Sequence, residues 1–136
     1  MSDSTRTLLH TSAQAVRWGD MDAYAHVNNT IYFRYCEQAR VEWIEDMGFP
    51  VLTTARQGPV IINAACTFMI PIEYPATVIV KLYAGDPGRS SVMTWYEILV
   101  EGDERVHAEG SAKVVWMDHE TGRSVPIPDA LRARLN

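Results

Sequence analysis

The segment with the most chemical potential is residues 17–29, which reads RWGDMDAYAHVNN. It contains two carboxylates, one imidazole and two amides: Asp20, Asp22, His26, Asn28 and Asn29. A carboxylate beside a carbonyl group can attack it as a nucleophile or activate water as a general base. If a helix begins directly after the segment, its unpaired N–H groups can bind the oxygen that becomes negative during the attack. These residues outline an acyl-transfer site.

The same residue types are also the usual N-caps of helices. An aspartate before a helix more often accepts hydrogen bonds from backbone N–H groups than it takes part in catalysis. Spacing alone therefore favours capping over chemistry for this segment.

A helix is predicted directly after the segment, over residues 30–47. One apolar stripe with helical spacing runs along it: Tyr32, Tyr35, Cys36, Ala39, Trp43 and Met47. Gly48 and Pro50 are typical of a helix end. Glu37 and Arg40, three residues apart, are expected to form an ordinary surface ion pair.

The rest of the chain predicts strands. A short strand precedes the helix and four longer strands follow it, with a short helix at the end: residues 13–18, 60–70, 76–84, 92–100, 106–116 and 129–135. This order predicts an α+β fold with an antiparallel five-stranded sheet, one face of which the helix covers. The strand at residues 60–70 is apolar on both faces, so we expect it at the centre of the sheet, with Asn63 as a buried amide. Open sheet edges make dimerisation plausible.

Length and composition exclude several classes of protein. The 136 residues predict one domain over residues 1–136, and the net charge of −5 with scattered basic residues disfavours nucleic-acid binding. No apolar run reaches the roughly 20 residues of a membrane span, and the N-terminus lacks a signal-peptide pattern. Cys36 and Cys66 are expected to be reduced and buried, and the histidines have no metal-ligand spacing. We therefore expect a cytoplasmic protein without a cofactor, a bound metal or a membrane partner.

The sequence WGDMDAYAHVNNTIYFRYCEQAR resembles the opening of the hotdog-fold acyl-CoA thioesterases, in the 4-hydroxybenzoyl-CoA thioesterase-like branch. The resemblance extends over nearly the whole chain and implies a five-stranded antiparallel sheet wrapped around one long central helix. It implies that Asp22, the second aspartate of D-x-D, is the catalytic carboxylate. It also implies that the backbone N–H of Asn29 polarises the thioester carbonyl, and that subunits pair as a homodimer or homotetramer with the sites at the interface.

Other site residues each have two interpretations. His26 either orients substrate or water, or bonds to the loop backbone, and Tyr24 is either a pocket wall or a surface aromatic. Asp20 is expected to form structural hydrogen bonds. The resemblance implies that Arg89, Ser90 and Ser91 contact the pantetheine and nucleotide of coenzyme A, although a solvated hairpin explains them equally well. The tryptophans are expected in the core or at a dimer contact.

The leading hypothesis is a hydrolase that cleaves an acyl-CoA substrate to a carboxylic acid and coenzyme A. One alternative is a hotdog acyl-thioester dehydratase, which the sequence disfavours because His26 precedes Val-Asn-Asn and not Pro-Gly. The other is a non-catalytic acyl-CoA-binding hotdog module, which has no use for the carboxylate of Asp22. Whether Asp22 acts as a nucleophile or as a base stays open.

Overall fold

The computed structural model describes residues 5–49 and 55–135. Five strands and two helices follow one another along the chain: β1 (Thr7–Ala15), α1 (Asn29–Asp46), β2 (Gln57–Phe68), β3 (Thr77–Gly85), β4 (Ser91–Val100), β5 (Asp103–Asp118) and α2 (Asp129–Arg132). The strands form one antiparallel sheet in the order β1-β3-β4-β5-β2, as the predicted fold class requires. Within the two described ranges, no helix is long and apolar enough to cross a membrane.

The central strands have the alternation that the sequence predicts. Along β3 and β4 every second side chain is buried, and Val80 and Ile98 are wholly inaccessible. Helix α1 contributes Ala39 and Trp43 to the same core, so one apolar helix face packs on one face of the sheet. This layer holds the N-terminal end of α1 in a fixed place.

Both ends of α1 have the caps that its sequence indicates. The Asn28 side-chain oxygen accepts hydrogen bonds from the N–H and the hydroxyl of Thr30, both at 2.9 Å. At the other end Gly48 has a φ of +86°, a left-handed conformation that closes the last turn. The helix bounds are therefore one residue from those predicted.

The position of β2 corrects the sequence analysis, which expected a covered central strand. β2 is an edge strand, and its apolar side chains are exposed, with Ile62 at 52% and Phe68 at 44%. Asn63 is also exposed and Cys66 is only half-buried, so neither is enclosed as predicted. A strand that is apolar on both faces is normally shielded from water. Within one chain the side chains of β2 are not shielded.

Two smaller predictions were also wrong. The first strand is Thr7–Ala15 and not residues 13–18. The prediction missed it because its buried side includes polar residues such as Ser12, which a search for apolar periodicity does not count. The expected ion pair of Glu37 with Arg40 is replaced by one with Arg34, at 3.0 Å. Arg40 instead contacts Tyr96.

Candidate active site

The loop between β1 and α1 is fixed by Asp20. One Asp20 carboxylate oxygen accepts hydrogen bonds from the Arg17 N–H at 2.9 Å and from the Tyr35 hydroxyl at 2.8 Å. Its backbone carbonyl accepts a further bond from the Asn28 N–H, at 2.9 Å. Asp20 thus joins the start of the loop, its end and the first turns of α1, which is the structural role expected of it.

Asp22 lies in a tight turn that leaves one carboxylate oxygen available. Its Oδ1 accepts a hydrogen bond from the Tyr24 N–H at 2.8 Å, and its backbone N–H donates to the His26 carbonyl at 2.8 Å. Ala25 closes the turn with a φ of +63°. Asp22 is half-buried, and among the described residues nothing donates to its Oδ2, so this oxygen is free to meet a ligand or water.

Asp22 and the start of α1 share one cavity of about 300 Å³. Its wall combines the loop, the helix and the segment that follows β2: Asp22, His26, Val27, Asn29, Tyr32, Phe68, Met69, Ile70 and Pro71. Asn29 is the first residue of the helix, so its N–H has no acceptor inside the helix. The cavity therefore presents a carboxylate and a helix N-terminal donor to the same ligand, within an otherwise largely apolar wall.

A second cavity, of about 570 Å³, also includes Asp22 in its wall. Trp18, Met21, Ala25 and Tyr74 contribute to its wall. Asp22 therefore borders two cavities.

Tyr32 is a wall residue that the sequence analysis assigned only to the core. Its ring packs edge-on against that of Phe68, with 4.9 Å between the centroids, and burial raises the pKa of its hydroxyl. Helical spacing could have revealed it, because Tyr32 is three residues from Asn29 and therefore on the same helix face.

His26 and Tyr24 differ in their positions. His26 lines the cavity with Asp22, and its Nε2 lies 3.8 Å from a carboxylate oxygen of Glu73. Tyr24 is 83% exposed and is not part of that wall. In the single chain Tyr24 is therefore a surface aromatic.

Arg89, Ser90 and Ser91 lie at the opposite end of the sheet from Asp22. Ala15, just before the loop, pairs with Thr77 at the start of β3, whereas Arg89 follows the far end of that strand. Nine extended residues span roughly 27 Å. Within one chain these three residues do not join the cavity of Asp22.

No metal is indicated in this part of the molecule. In residues 5–49 and 55–135, no three His, Cys, Asp or Glu side chains are grouped so that they could hold a metal ion.

Solved structures of similar sequence have the same fold. The sequence profile of the family described as the thioesterase-like superfamily matches residues 16–135. The PA2801 protein from Pseudomonas aeruginosa is 47% identical with a TM-score of 0.89, over 93% of this chain and 97% of that one. The gentisyl-coenzyme A thioesterase BH1999 is 26% identical with a TM-score of 0.80, over 90% of this chain and 98% of that one.

Among curated proteins, the chain is similar to two chloroplastic acyl-acyl carrier protein thioesterases of Arabidopsis thaliana. ATL3 is 25% identical over 127 residues, which cover 92% of this chain. The chain spans 66% of the length of ATL3 and 66% of the length of ATL2.

Proposed function

Because the chain belongs to the thioesterase-like superfamily, we propose that it hydrolyses acyl-CoA thioesters, with Asp22 as the catalytic carboxylate and the Asn29 N–H as the oxyanion donor. Thioester hydrolysis is the activity of this family, and the chain has the hotdog fold. The observation that carries the assignment of residues is the cavity shared by the Asp22 carboxylate and the helix N-terminus.

The geometry supports two routes from thioester to acid. As a base, Asp22 takes a proton from water, and the hydroxide adds to the carbonyl carbon while the Asn29 N–H binds the oxyanion. The C–S bond then breaks and the coenzyme A thiolate is protonated. As a nucleophile, Asp22 forms an anhydride, releases the thiol and is freed by water. Rapid-quench mass spectrometry separates the two routes, because only the second leaves an acyl group on Asp22.

Coenzyme A suits this chain better than an acyl carrier protein does. The net charge of −5 would repel an acidic carrier domain, whereas coenzyme A is anionic only in its nucleotide part, where a local cation such as Arg89 could compensate. Testing both thioesters side by side decides between them.

We further propose that a second copy of this chain covers β2. From Ile61 to Phe68 the strand is almost wholly exposed and mostly apolar, and its outer edge has no strand beside it in the described chain. A two-fold axis beside Ala65 would pair this run with itself in antiparallel orientation, so that Ala64 lies opposite the partner's Cys66 on the helix side of the sheet. The pairing would bury the apolar side chains of both copies.

This pairing also accounts for Arg89, Ser90 and Ser91. They lie at the same end of the sheet as the start of β2, since Ser91 pairs with Val115 and Gln57 with Asp118. In an antiparallel dimer the three residues lie level with the partner's Phe68, three strand spacings or roughly 14 Å away. The three residues would then contact coenzyme A bound at the partner's Asp22.

The first experiment measures release of free thiol from a panel of acyl-CoAs and one acyl carrier protein, with wild type and Asp22→Asn. Asparagine keeps the oxygen that accepts from the Tyr24 N–H, so the substitution removes the charge and preserves the turn. We expect kcat to fall by roughly 10²-fold or more. Glu101→Gln, an exposed carboxylate in the β4–β5 turn, is the matched control. Unchanged activity in Asp22→Asn would show that the carboxylate only shapes the loop, and tight binding without turnover would indicate a binding module.

The dimer is tested with Ala64→Cys under a mild oxidant. The new thiol would form a disulfide with the partner's native Cys66, giving a covalent dimer on a non-reducing gel. Ala64→Cys/Cys66→Ser is the control and should stay unlinked. A monomer by light scattering at micromolar concentration, with no crosslink, contradicts the pairing.

A further inference from the structure

A small cavity of about 180 Å³ lies between α1 and the first half of β2, away from the loop of Asp22. Two charged side chains and six apolar or aromatic ones line it: Glu37, Arg40, Val41, Trp43, Ile44, Pro59, Ile61 and Val114. A cavity of roughly 150 Å³ can hold a benzene molecule. This cavity therefore accommodates one ring or a short aliphatic chain.

Arg40 is the positively charged residue of this cavity, and the buried Tyr96 fixes its position. Its Nη1 donates to the Tyr96 hydroxyl oxygen at 3.1 Å, and its guanidinium carbon lies 5.5 Å from the Tyr96 ring centroid. The Thr94 hydroxyl donates to the Ala112 carbonyl at 2.8 Å, so it accepts the Tyr96 proton, with 2.7 Å between the two oxygens. The hydroxyl chain therefore leaves Tyr96 as an acceptor for Arg40.

The charge of Arg40 has no carboxylate partner among residues 5–49 and 55–135. Glu37, the acidic residue of the cavity, is 3.0 Å from Arg34 and is half exposed. Tyr96 is neutral, since burial raises the pKa of its hydroxyl. A guanidinium has five N–H donors, and the described contacts use one. A half-buried, unpaired charge is unfavourable, and a carboxylate bound through two N–H groups relieves it.

In the proposed dimer this cavity meets the partner's active site. Ile61 lines the cavity of Arg40, and Phe68 lines the cavity of Asp22. The bulge between Ile61 and Asn63 places both Ile61 and Phe68 on the helix side of β2. Pairing two copies about Ala65 brings Ile61 and the partner's Phe68 next to each other on the helix side of the sheet, so the two cavities become neighbours across the strand pair.

We infer that Arg40 forms the far end of the partner's acyl pocket and selects acyl groups that end in a carboxylate. The inference rests on the proposed thioesterase function and its dimer. The thioester carbonyl would lie at Asp22 and Asn29 of one subunit, and the terminal carboxylate of the acyl group would bind the guanidinium of the other. No residue assigned to the hydrolysis itself has this role, so Arg40 is a specificity residue.

The test compares acyl-CoAs that differ only at the far end of the acyl group. Hydrolysis of glutaryl-CoA and pentanoyl-CoA is measured as kcat/KM, with benzoyl-CoA and 4-hydroxybenzoyl-CoA as an aromatic pair. We expect wild type to favour glutaryl over pentanoyl at least tenfold. In Arg40→Gln this ratio should fall at least tenfold, and in Arg40→Lys it should fall less, because lysine keeps the charge and loses the fork. Arg34→Gln, an exposed arginine on the same helix, should keep the wild-type ratio.

Each outcome bears on one proposal only. A wild-type enzyme that hydrolyses pentanoyl-CoA as fast as glutaryl-CoA overturns the role of Arg40 and leaves the thioesterase function intact, whether or not the variants fold. A preference for the hydroxybenzoyl group without one for glutaryl overturns the carboxylate assignment. Failure to hydrolyse any thioester in the panel counts against the proposed function itself.

Discussion

Tyr35→Phe should both destabilise the protein and slow the reaction, through the loss of one hydrogen bond. The Tyr35 hydroxyl donates to the Asp20 carboxylate at 2.8 Å. A hydrogen bond to a charged group contributes about 1.5–3 kcal/mol. Because Asp20 is half exposed, we expect a loss of about 1–2 kcal/mol in the free energy of unfolding.

Thermal unfolding makes this loss measurable. An unfolding entropy of roughly 2.1 cal/mol/K per residue over the 136 residues gives a fall in Tm of roughly 3–7 °C. A double-mutant cycle with Asp20→Ala, which removes the acceptor, isolates the pair, and all variants are compared at one protein concentration. Burial and the bond to Asp20 raise the pKa of Tyr35 above its ordinary value of 10. Its stabilising effect is therefore fully present below pH 10 and is lost as the pH rises toward the folded-state pKa.

The kinetic consequence follows from what else Asp20 holds. Its carbonyl accepts the Asn28 N–H, so a displaced Asp20 shifts the N–H of Asn29 relative to Asp22. If the whole lost energy appears in the transition state, kcat falls between about fivefold and thirtyfold, with little change in KM. Tyr83→Phe is the matched control, because the Tyr83 hydroxyl donates to Glu97 at the same 2.8 Å, on the sheet and away from the loop.

Tyr83→Phe should lower Tm without changing kcat. Equal kcat values in the Tyr35→Phe and wild-type proteins would refute the link between the loop and the proposed oxyanion donor, the Asn29 N–H. Strict additivity in the cycle would refute the hydrogen bond.

Three further outcomes follow from burial and charge. Burial raises the pKa of Cys66 to about 11 and that of Cys36 to about 12. At pH 8 roughly one thiol in a thousand or fewer is therefore ionised, and iodoacetamide should label both cysteines slowly. Rapid labelling of Cys66, detected by mass spectrometry, would contradict this. Burial opposes the ionisation of Glu42, but hydrogen bonds from His10 and two neighbours outweigh this effect and lower the pKa of its carboxyl. The ionised Glu42 therefore stabilises the fold at pH values above 4.5, its ordinary pKa. Glu42→Gln should reduce the loss of stability that urea titrations show from about pH 5 to pH 3. Ile98→Ala removes a wholly buried side chain and should cost about 2–5 kcal/mol in urea unfolding, whereas a smaller loss would show that the core closes around the gap.

Local sequence signals predict the helix and the hairpins of this fold because local chemistry determines them. The period of the apolar stripe, the Asn28 cap and Gly48 fix α1 to within one residue. The β4–β5 hairpin turns at Gly102, as expected. β1 was placed too late in the chain, since its contacts with α1 are partly polar: the His10 ring nitrogen lies 2.8 Å from Glu42. Hydrophobic periodicity cannot detect a strand that packs through such pairs.

In the candidate site, too, the residues that are close in sequence were predicted and those from distant strands were not. Asp22, His26 and Asn29 are near one another in sequence, and the structure places all three around one cavity. The wall opposite them, at Phe68 and the residues after it, belongs to a distant strand, and no local pattern connects the two. The same reason explains Arg89, which sequence reasoning grouped with the site and which the strand register places at the far end of the sheet.

The misplaced strand and the proposed dimer have one physical explanation. A strand that is apolar on both faces indicates that its surroundings exclude water, but the pattern does not specify whether those surroundings belong to its own chain. In the single chain β2 is at the edge, and its apolar side chains meet solvent. When two copies pair along β2, two five-stranded sheets become one of ten strands, and β2 takes the central position that its composition predicts. The composition of β2 therefore fits the proposed assembly of two chains, and this assembly would also bring Arg40 and Arg89 of one subunit to the active site of the other.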